Sequence, residues 1–249
     1  MISPETLFVL FFVGLMAGVV DAIAGGGGLL TFPTLLLAGL SPIQALATNK
    51  IQALASVASS AHRYTQSGAV DRRTIRTKLI SSTIGGGLGA LAVSHFDSHL
   101  LTKIAPIILI GVALFFLFSQ SRPNHFRRPL LSEHAFAFSV ALPIGFYDGF
   151  FGPGTGSLYA TAFVILLGRD LTTATGETKV LNTAGSFVAA LIFLWSGAIV
   201  WSAAIAMSLG GIVGGQIGAH IAIKWGAQFI RIALVAISIL LALRLLVQQ

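Results

Sequence analysis

Apolar runs long enough to cross a bilayer as helices recur along the whole chain, and that recurrence leaves few folds open. Hydrophobic residues make up 55% of the sequence and charged residues only 9%, with a mean hydropathy of +0.89. A water-soluble domain carries about a quarter charged residues, so this composition defines an integral membrane protein. The period-two alternation of a membrane barrel is missing, and the spanning elements are therefore helices. The fold class expected is an all-α polytopic membrane protein. The run from Leu7 to Val20 has no basic residue before it and leads into an acidic motif, which reads as a retained helix rather than a cleaved leader. There is no cysteine, which excludes disulfides and thiolate metal sites. The net charge of +7 does not indicate nucleic acid, because the basic residues sit at helix ends as topology signals do.

Within this apolar background one stretch, Asp21 to Gln52, concentrates polar groups and helix breakers, and Asp148 to Asn182 repeats its order. Each has an aspartate, a glycine-rich break, a short apolar run, a helix cap, and a lysine with Thr and Asn nearby. The correspondence extends further at a nearly constant offset. Ser41 matches Asp170, Lys50 matches Lys179, Ser67-Gly68-Ala69 matches Ser196-Gly197-Ala198, and Gly89-Ala90 matches Gly218-Ala219, each 129 positions apart. Asp21 and Asp148 are 127 apart. The chain thus divides into a first transmembrane repeat, 1–118, a connector, 119–134, and a second repeat, 135–249. Such duplication is the usual construction of secondary transporters.

Basic residues orient the two copies. The loop with Arg72, Arg73, Arg76 and Lys78, the central connector and the loop with Arg169 are expected on the cytoplasmic side. The counterpart of the first basic loop, SGAIVWS, carries no charge, whereas Lys224 stands opposite the unbasic HFDSHL. The repeats are therefore expected to be inverted, with about eight to ten apolar segments in total, some of them broken or re-entrant.

A helix start is legible at Ser41, with Pro42 at the first helical position and Gln44 completing a capping box. Further helices are expected near 80–93 and 104–118, with HFDSHL as a turn between them. Counted from their caps, Lys50 and Lys179 lie nine residues into their helices, about 13–14 Å at 1.5 Å per residue and so near mid-bilayer. A lysine there costs about 2.5–3.5 kcal/mol on insertion scales and faces a cavity or a counter-charge. In the second repeat Thr172, Thr175, Lys179, Asn182 and Ser186 form one polar stripe. The matching positions Ile43, Leu46, Ala53 and Val57 are apolar, and Thr48, Asn49, Gln52 and Ser56 lie on other faces.

The breaks, Gly25 to Gly28 and Gly152-Pro153-Gly154-Thr155-Gly156, expose backbone amides and helix N-termini. Together with the lysines they suit a small anion with several oxygens. The candidate binding residues are Lys50, Lys179, Asn49, Thr48, Gln52, Gly27, Gly28, Gly154, Thr155, Gly156, Thr175, Thr178 and Asn182. Glycine pairs elsewhere, Gly14/Gly18, Gly85/Gly89 and Gly214/Gly218, read as close helix packing. A phosphate-loop reading of the glycine run fails, since no Gly-Lys-Ser/Thr follows. Asp21, Asp148 and Glu177 are acids within apolar stretches, either coupling carboxylates or neutralisers of lysines. Glu177 and Lys179, two residues apart, point away from each other on a regular helix. The histidines have no metal-site spacing, and no cofactor is expected.

These motifs carry a resemblance. The GLMAGVVDAIAGGGG run at Gly14 to Gly28, SPIQALATNK at Ser41 to Lys50, DGFFGPGTG at Asp148 to Gly156 and TGETK at Thr175 to Lys179 resemble the TauE/SafE-type sulfite exporter family over nearly the whole chain. The resemblance implies an inner-membrane carrier of a small sulfur-containing anion such as sulfite, sulfoacetate, another organosulfonate or thiosulfate. The expected partners are that anion and the lipid bilayer, and the sequence is compatible with a homo-oligomer. An anion channel or a carrier of another small anion is the competing class. An enzyme would need a nucleophile and base or a metal cluster, and neither constellation is present.

Overall fold

The computed structural model describes residues 2–71, 73–118 and 128–225. Within them the chain is helical, with no strand: α1 Pro4–Ala24, α2 Gly28–Leu37, α3 Pro42–Gln66, α4 Ile75–Ser94, α5 Ser98–Phe118, α6 Glu133–Phe136, α7 Leu142–Phe150, α8 Thr155–Leu166, α9 Leu171–Ser196 and α10 Trp201–Trp225. A π-helical turn, Ala137–Ala141, joins α6 to α7. The second-repeat counterpart of α5 falls in 226–249, outside the described residues.

Local chemistry sets these boundaries. Ser3 accepts from the Thr6 N–H to start α1, Ser41 and Gln44 close the capping box of α3, and Asp170 accepts from the N–H groups of Thr172 and Thr173 to start α9. The expected helix at 80–93 begins earlier, at Ile75, and α5 begins at Ser98 rather than 104, so only the first half of HFDSHL is a turn. Hydropathy alone does not register these polar first turns. Glu133 and His134, the end of the expected connector, form the start of α6 behind the cap Ser132. The π turn precedes Pro143, which has no N–H to offer the Ser139 carbonyl, and the Ala141 carbonyl accepts from the Tyr159 hydroxyl at 2.7 Å.

The distribution of polarity is that of a protein dissolved in lipid. Phe8, Val9, Phe12 and Met16 on α1, Leu191, Leu194 and Trp195 on α9 and Ile205, Leu209 and Ile212 on α10 are exposed, whereas Lys50, Lys78, Glu177 and Lys179 are buried. In hydrocarbon this arrangement hides each ion from the solvent least able to stabilise it. Helices α1, α9 and α10 are each long and apolar enough to span, while α2 and α8 are shorter apolar helices.

Packing follows the sequence repeat. Helix α1 lies along α10, α7 along α4, α3 against α10, α9 against α4, and α3 against α9. Exchanging α1 with α6–α7, α3 with α9 and α4 with α10 turns the first pair into the second and the third into the fourth. The close crossings depend on glycine. A Cβ at Gly14 would strike the Met207 carbonyl, one at Gly214 the Leu15 carbonyl, one at Gly89 the Phe146 carbonyl and one at Gly149 the Gly86 carbonyl. By contrast, nothing lies within 4 Å of a Cβ at Gly111. Gly89→Ala is expected to lower the unfolding temperature in detergent, with an overpacking penalty of about 1–3 kcal/mol, whereas Gly111→Ala leaves it at or above wild type. Equal melting of the two variants would show that the α4–α7 crossing does not need its glycine.

Candidate functional site

Both halves break where the glycines stand, and the two breaks touch. Helix α1 ends at Gly25, held at φ 77° by an N–H bond to the Asp21 carbonyl, and α8 starts after Gly154 at φ 82°. These left-handed positions suit glycine because a side chain would crowd the backbone there. Across the molecule a Cβ on Gly25 would overlap the Gly156 backbone, and one on Gly28 would lie 2.8 Å from Pro153 Cα. Each break thus seats the other.

The lysines cross between repeats. Lys50 Nζ on α3 donates to the Asp148 carbonyl and, at 3.0 Å, to its Oδ1; Lys179 Nζ on α9 donates to the Asp21 carbonyl and, at 2.9 Å, to its Oδ2. Each aspartate stands in the last turn of the helix that its break terminates. Each ammonium therefore meets a carboxylate together with the negative end of a helix dipole, two favourable terms for a cation out of water. Both lysines are almost fully buried, at 2% and 0% exposure.

Between the breaks lies a cavity of about 30 Å³. Its walls are Asn49, Lys50, Ala53 and Val57 from α3, Asn182 and Ser186 from α9, Asp21, Gly25 and Gly28 from one break and Asp148, Gly152, Gly154, Thr155 and Gly156 from the other. Of the sequence-expected binding residues, the structure brings Asn49, Lys50, Gly28, Gly154, Thr155, Gly156 and Asn182 together here, with both aspartates. Lys179 does not border the cavity and stands behind Asp21. Gly27 packs on the Ala17 carbonyl, Thr48 accepts from the Val200 N–H at 3.0 Å, and the Gln52 amide lies against Gly211. The Thr175 hydroxyl donates to the Leu171 carbonyl, and Thr178 Oγ1 is buried with no hydrogen-bond partner among the described residues. Asn182 Oδ1, in the cavity wall, also has none. The Thr31 hydroxyl donates to Asn49 Oδ1.

Glu177 belongs elsewhere. It sits 3.1 Å from Lys78 Nζ and 3.5 Å from Arg169 Nε, while Glu133 lies 2.7 Å from Lys78 and 2.8 Å from Arg169. Two cations and two carboxylates therefore close a ring across α4, α6, α9 and the loop before α9, with Lys78 also 5.2 Å from the Phe163 ring centroid. Lys78, expected in a basic loop, is a fully buried residue of α4. The signal was its spacing from Ile75 and Ser82, which shares one face of a helix. Arg169 also donates to Thr74, whose hydroxyl donates to Asp71. In that loop the Arg73 backbone N–H, bound at 2.9 Å, holds the Asp71 carboxyl below its usual range, helped by Thr74 and Arg169. The positions 129 away from Lys78, Arg169 and Glu177 are Met207, Leu40 and Thr48, all buried and none ionisable.

An all-helical membrane protein with paired breaks around a charged midchain cavity belongs to the transporters in its general design. Comparison with known proteins makes this specific. The chain matches the family described as Sulfite exporter TauE/SafE over residues 10–245, and it belongs to that family. It is 37% identical to the probable membrane transporter protein YfcA of Escherichia coli strain K12, over 99% of this chain and 91% of the relative. It is likewise 37% identical to a probable membrane transporter protein of Haemophilus influenzae, covering 100% and 97% of the two chains, and 38% identical to the probable membrane transporter protein ORF9 of a Sinorhizobium species, covering 95% and 91%. No solved structure matches. The chain is thus a multi-pass inner-membrane transporter, not an enzyme.

The ring can be tested apart from transport. Lys78→Met leaves Glu177 buried beside Arg169 alone and is expected to destabilise the folded protein by about 3–5 kcal/mol. Adding Glu177→Gln should recover most of that loss in thermal unfolding, whereas an additive double variant would mean the two groups do not interact.

Proposed function

We propose that this transporter carries a small sulfur-containing oxyanion, sulfite or an organosulfonate such as sulfoacetate, by alternating access around the cavity between two inverted repeats. The observation that carries the reading is the cavity itself, where a buried lysine, the side chains of Asn49 and Asn182, hydroxyls and the N-terminal ends of α2 and α8 converge. Helix N-termini favour negative charge, and Lys50 adds a full positive one. The family description supports sulfite among small oxyanions, and no side chain in the cavity distinguishes sulfur from another central atom.

A volume of about 30 Å³ has room for about two water molecules. A polyatomic oxyanion needs the walls to part, which favours a carrier over an open anion channel. The ends of the molecule supply two different closures for such a cycle. One is the Lys78–Glu177–Glu133–Arg169 ring, and the other is the packing of Met207, Leu40 and the Thr48–Val200 hydrogen bond. Basic-residue placement puts the ring on the cytoplasmic side.

Two measurements check this reading. Lys50→Met combined with Asp148→Asn removes a whole ion pair and strands no charge, so the protein should insert and fold while binding sulfite or sulfoacetate at least about tenfold more weakly; wild-type affinity would remove Lys50 from the site. For topology, the chain has no cysteine of its own, and Ser67 and Ser196 are exposed equivalents. With Ser67→Cys and Ser196→Cys made singly, an impermeant thiol reagent on intact cells should label only position 196. Labelling of both from outside would favour parallel repeats.

A further inference from the structure

The cavity's charges cancel. Lys50 and Lys179 contribute two positive charges and Asp148 and Asp21 two negative ones, each lysine already holding a carboxylate within 3.0 Å. An anion that enters this site meets no unpaired cation. It arrives next to a carboxylate that is bound to the ammonium it needs, and two adjacent buried anions sharing one cation are strongly unfavourable. Neutralising a carboxylate removes the conflict: once Asp148 is a carboxylic acid, the Lys50 ammonium can turn a donor to the substrate, and with a singly charged anion the buried site remains balanced.

We propose that Asp148 is the proton-carrying group of this transporter, taking up one proton for each anion bound, so that anion and proton cross together. This deepens the reading given above and rests on it. The proton comes from the aqueous side to which the site is open, forms an O–H bond on an Asp148 carboxyl oxygen, and leaves by the same bond when the anion departs on the other side.

Geometry selects Asp148 over Asp21. Lys50 and Asp148 both border the cavity, whereas Lys179 does not. Asp21 has both oxygens engaged, Oδ2 by Lys179 and Oδ1 by the Gly27 N–H at 3.4 Å. Among the described residues Asp148 Oδ2 has only the Ser186 hydroxyl, at 3.5 Å, and it lies against Gly185, where there is no side chain to crowd an added hydrogen. The other groups around it are accounted for. Lys50 comes from α3 and Ser186 from α9; α4 packs glycine there, Gly86 against Gly149. Tyr159 of α8 directs its hydroxyl to Ser82 and the Ala141 carbonyl, and Tyr147 on the same helix as Asp148 donates to the Pro153 carbonyl at 2.7 Å. Asp21, which shares the cavity wall with Asp148, is already paired with Lys179.

The test is a proton count on purified wild-type protein in weakly buffered detergent, with methanesulfonate and isethionate as probes because each keeps a single negative charge from about pH 6 to pH 8. The expected result is uptake of one proton per anion bound and an affinity that falls by about tenfold per pH unit across that range. Asp148→Asn, which fixes the neutral form, should bind the same probe with an affinity independent of pH and at least as tight as wild type at low pH. Binding without proton uptake and with one affinity at both ends of the range overturns the proposal while leaving the anion site intact. Proton uptake that persists in Asp148→Asn overturns the assignment to Asp148. If that variant does not fold, the wild-type count decides whether a proton accompanies the anion, and a count that persists in Lys50→Met combined with Asp148→Asn, which strands no charge, overturns the assignment to Asp148. Failure of the wild type to bind either probe, or sulfite, overturns the functional reading and this inference with it.

Discussion

A lysine held in the opposite repeat by the end of a broken helix is the contact on which the remaining architecture depends. An ammonium near mid-bilayer is tolerated only with a counter-charge and a complete set of acceptors. Lys50 and Lys179 obtain both from the last turns of α7 and α1, where a backbone carbonyl and a carboxylate belong to one residue. That acceptor pair exists because the helix stops, and the helix stops because the glycines of the break allow the chain to turn out of it. The breaks and the lysines are therefore one device. Neither repeat can satisfy its own lysine in this arrangement, so the two halves are joined by the charges that each would otherwise leave stranded.

Close approach of the halves follows from the same need. An ion pair at 3 Å requires α3 to reach α7 and α9 to reach α1 through a crowded interior, and the flanking crossings of α1 with α10 and α4 with α7 are reduced to backbone contact by glycine on both sides. In lipid there is no hydrophobic gain from bringing two apolar helices together, so dispersion contacts and interhelical hydrogen bonds hold these crossings. The glycine pairs that looked like packing devices in the sequence do serve as such, whereas Gly25, Gly28, Gly154 and Gly156 shape the cavity.

Much of this was legible before the structure, and the remainder was hidden for identifiable reasons. The caps at Ser41 and Asp170 and the positions of Asn49, Lys50, Asn182 and both breaks were written in local patterns and in a constant offset. The weight given to a polar stripe was the less reliable guide. It favoured Lys179, yet Lys50 borders the cavity, on the same helical face as the apolar Ala53 and Val57. Polarity in a helix does not say which residues line a small space, because a cavity wall can be apolar on one side. The partner of Glu177 was equally out of reach. Lys78 stands 99 residues earlier, beside arginines that made its segment look like a loop, and only the third dimension places it under Glu133 and Phe163.

The two halves of the chain differ at equivalent positions. On the cavity wall the equivalents of Ala53 and Val57 are Asn182 and Ser186, so α9 offers hydrogen-bonding groups at two positions where α3 is apolar. At the ends, an ion ring on one side faces apolar packing on the other. These closures respond to water in opposite ways. Water entering the ring solvates charges whose burial was unfavourable, which offsets much of the lost attraction. Water reaching Met207 and Leu40 contacts apolar surface and offers no such compensation, at about 25 cal/mol per Å² exposed. A carrier assembled from related halves would have equal barriers at its two mouths if the halves had remained identical. Here Lys78, Glu177 and Arg169 stand where the equivalent positions of the other half hold Met207, Thr48 and Leu40, so one set of buried positions is ionic and the other carries no charge.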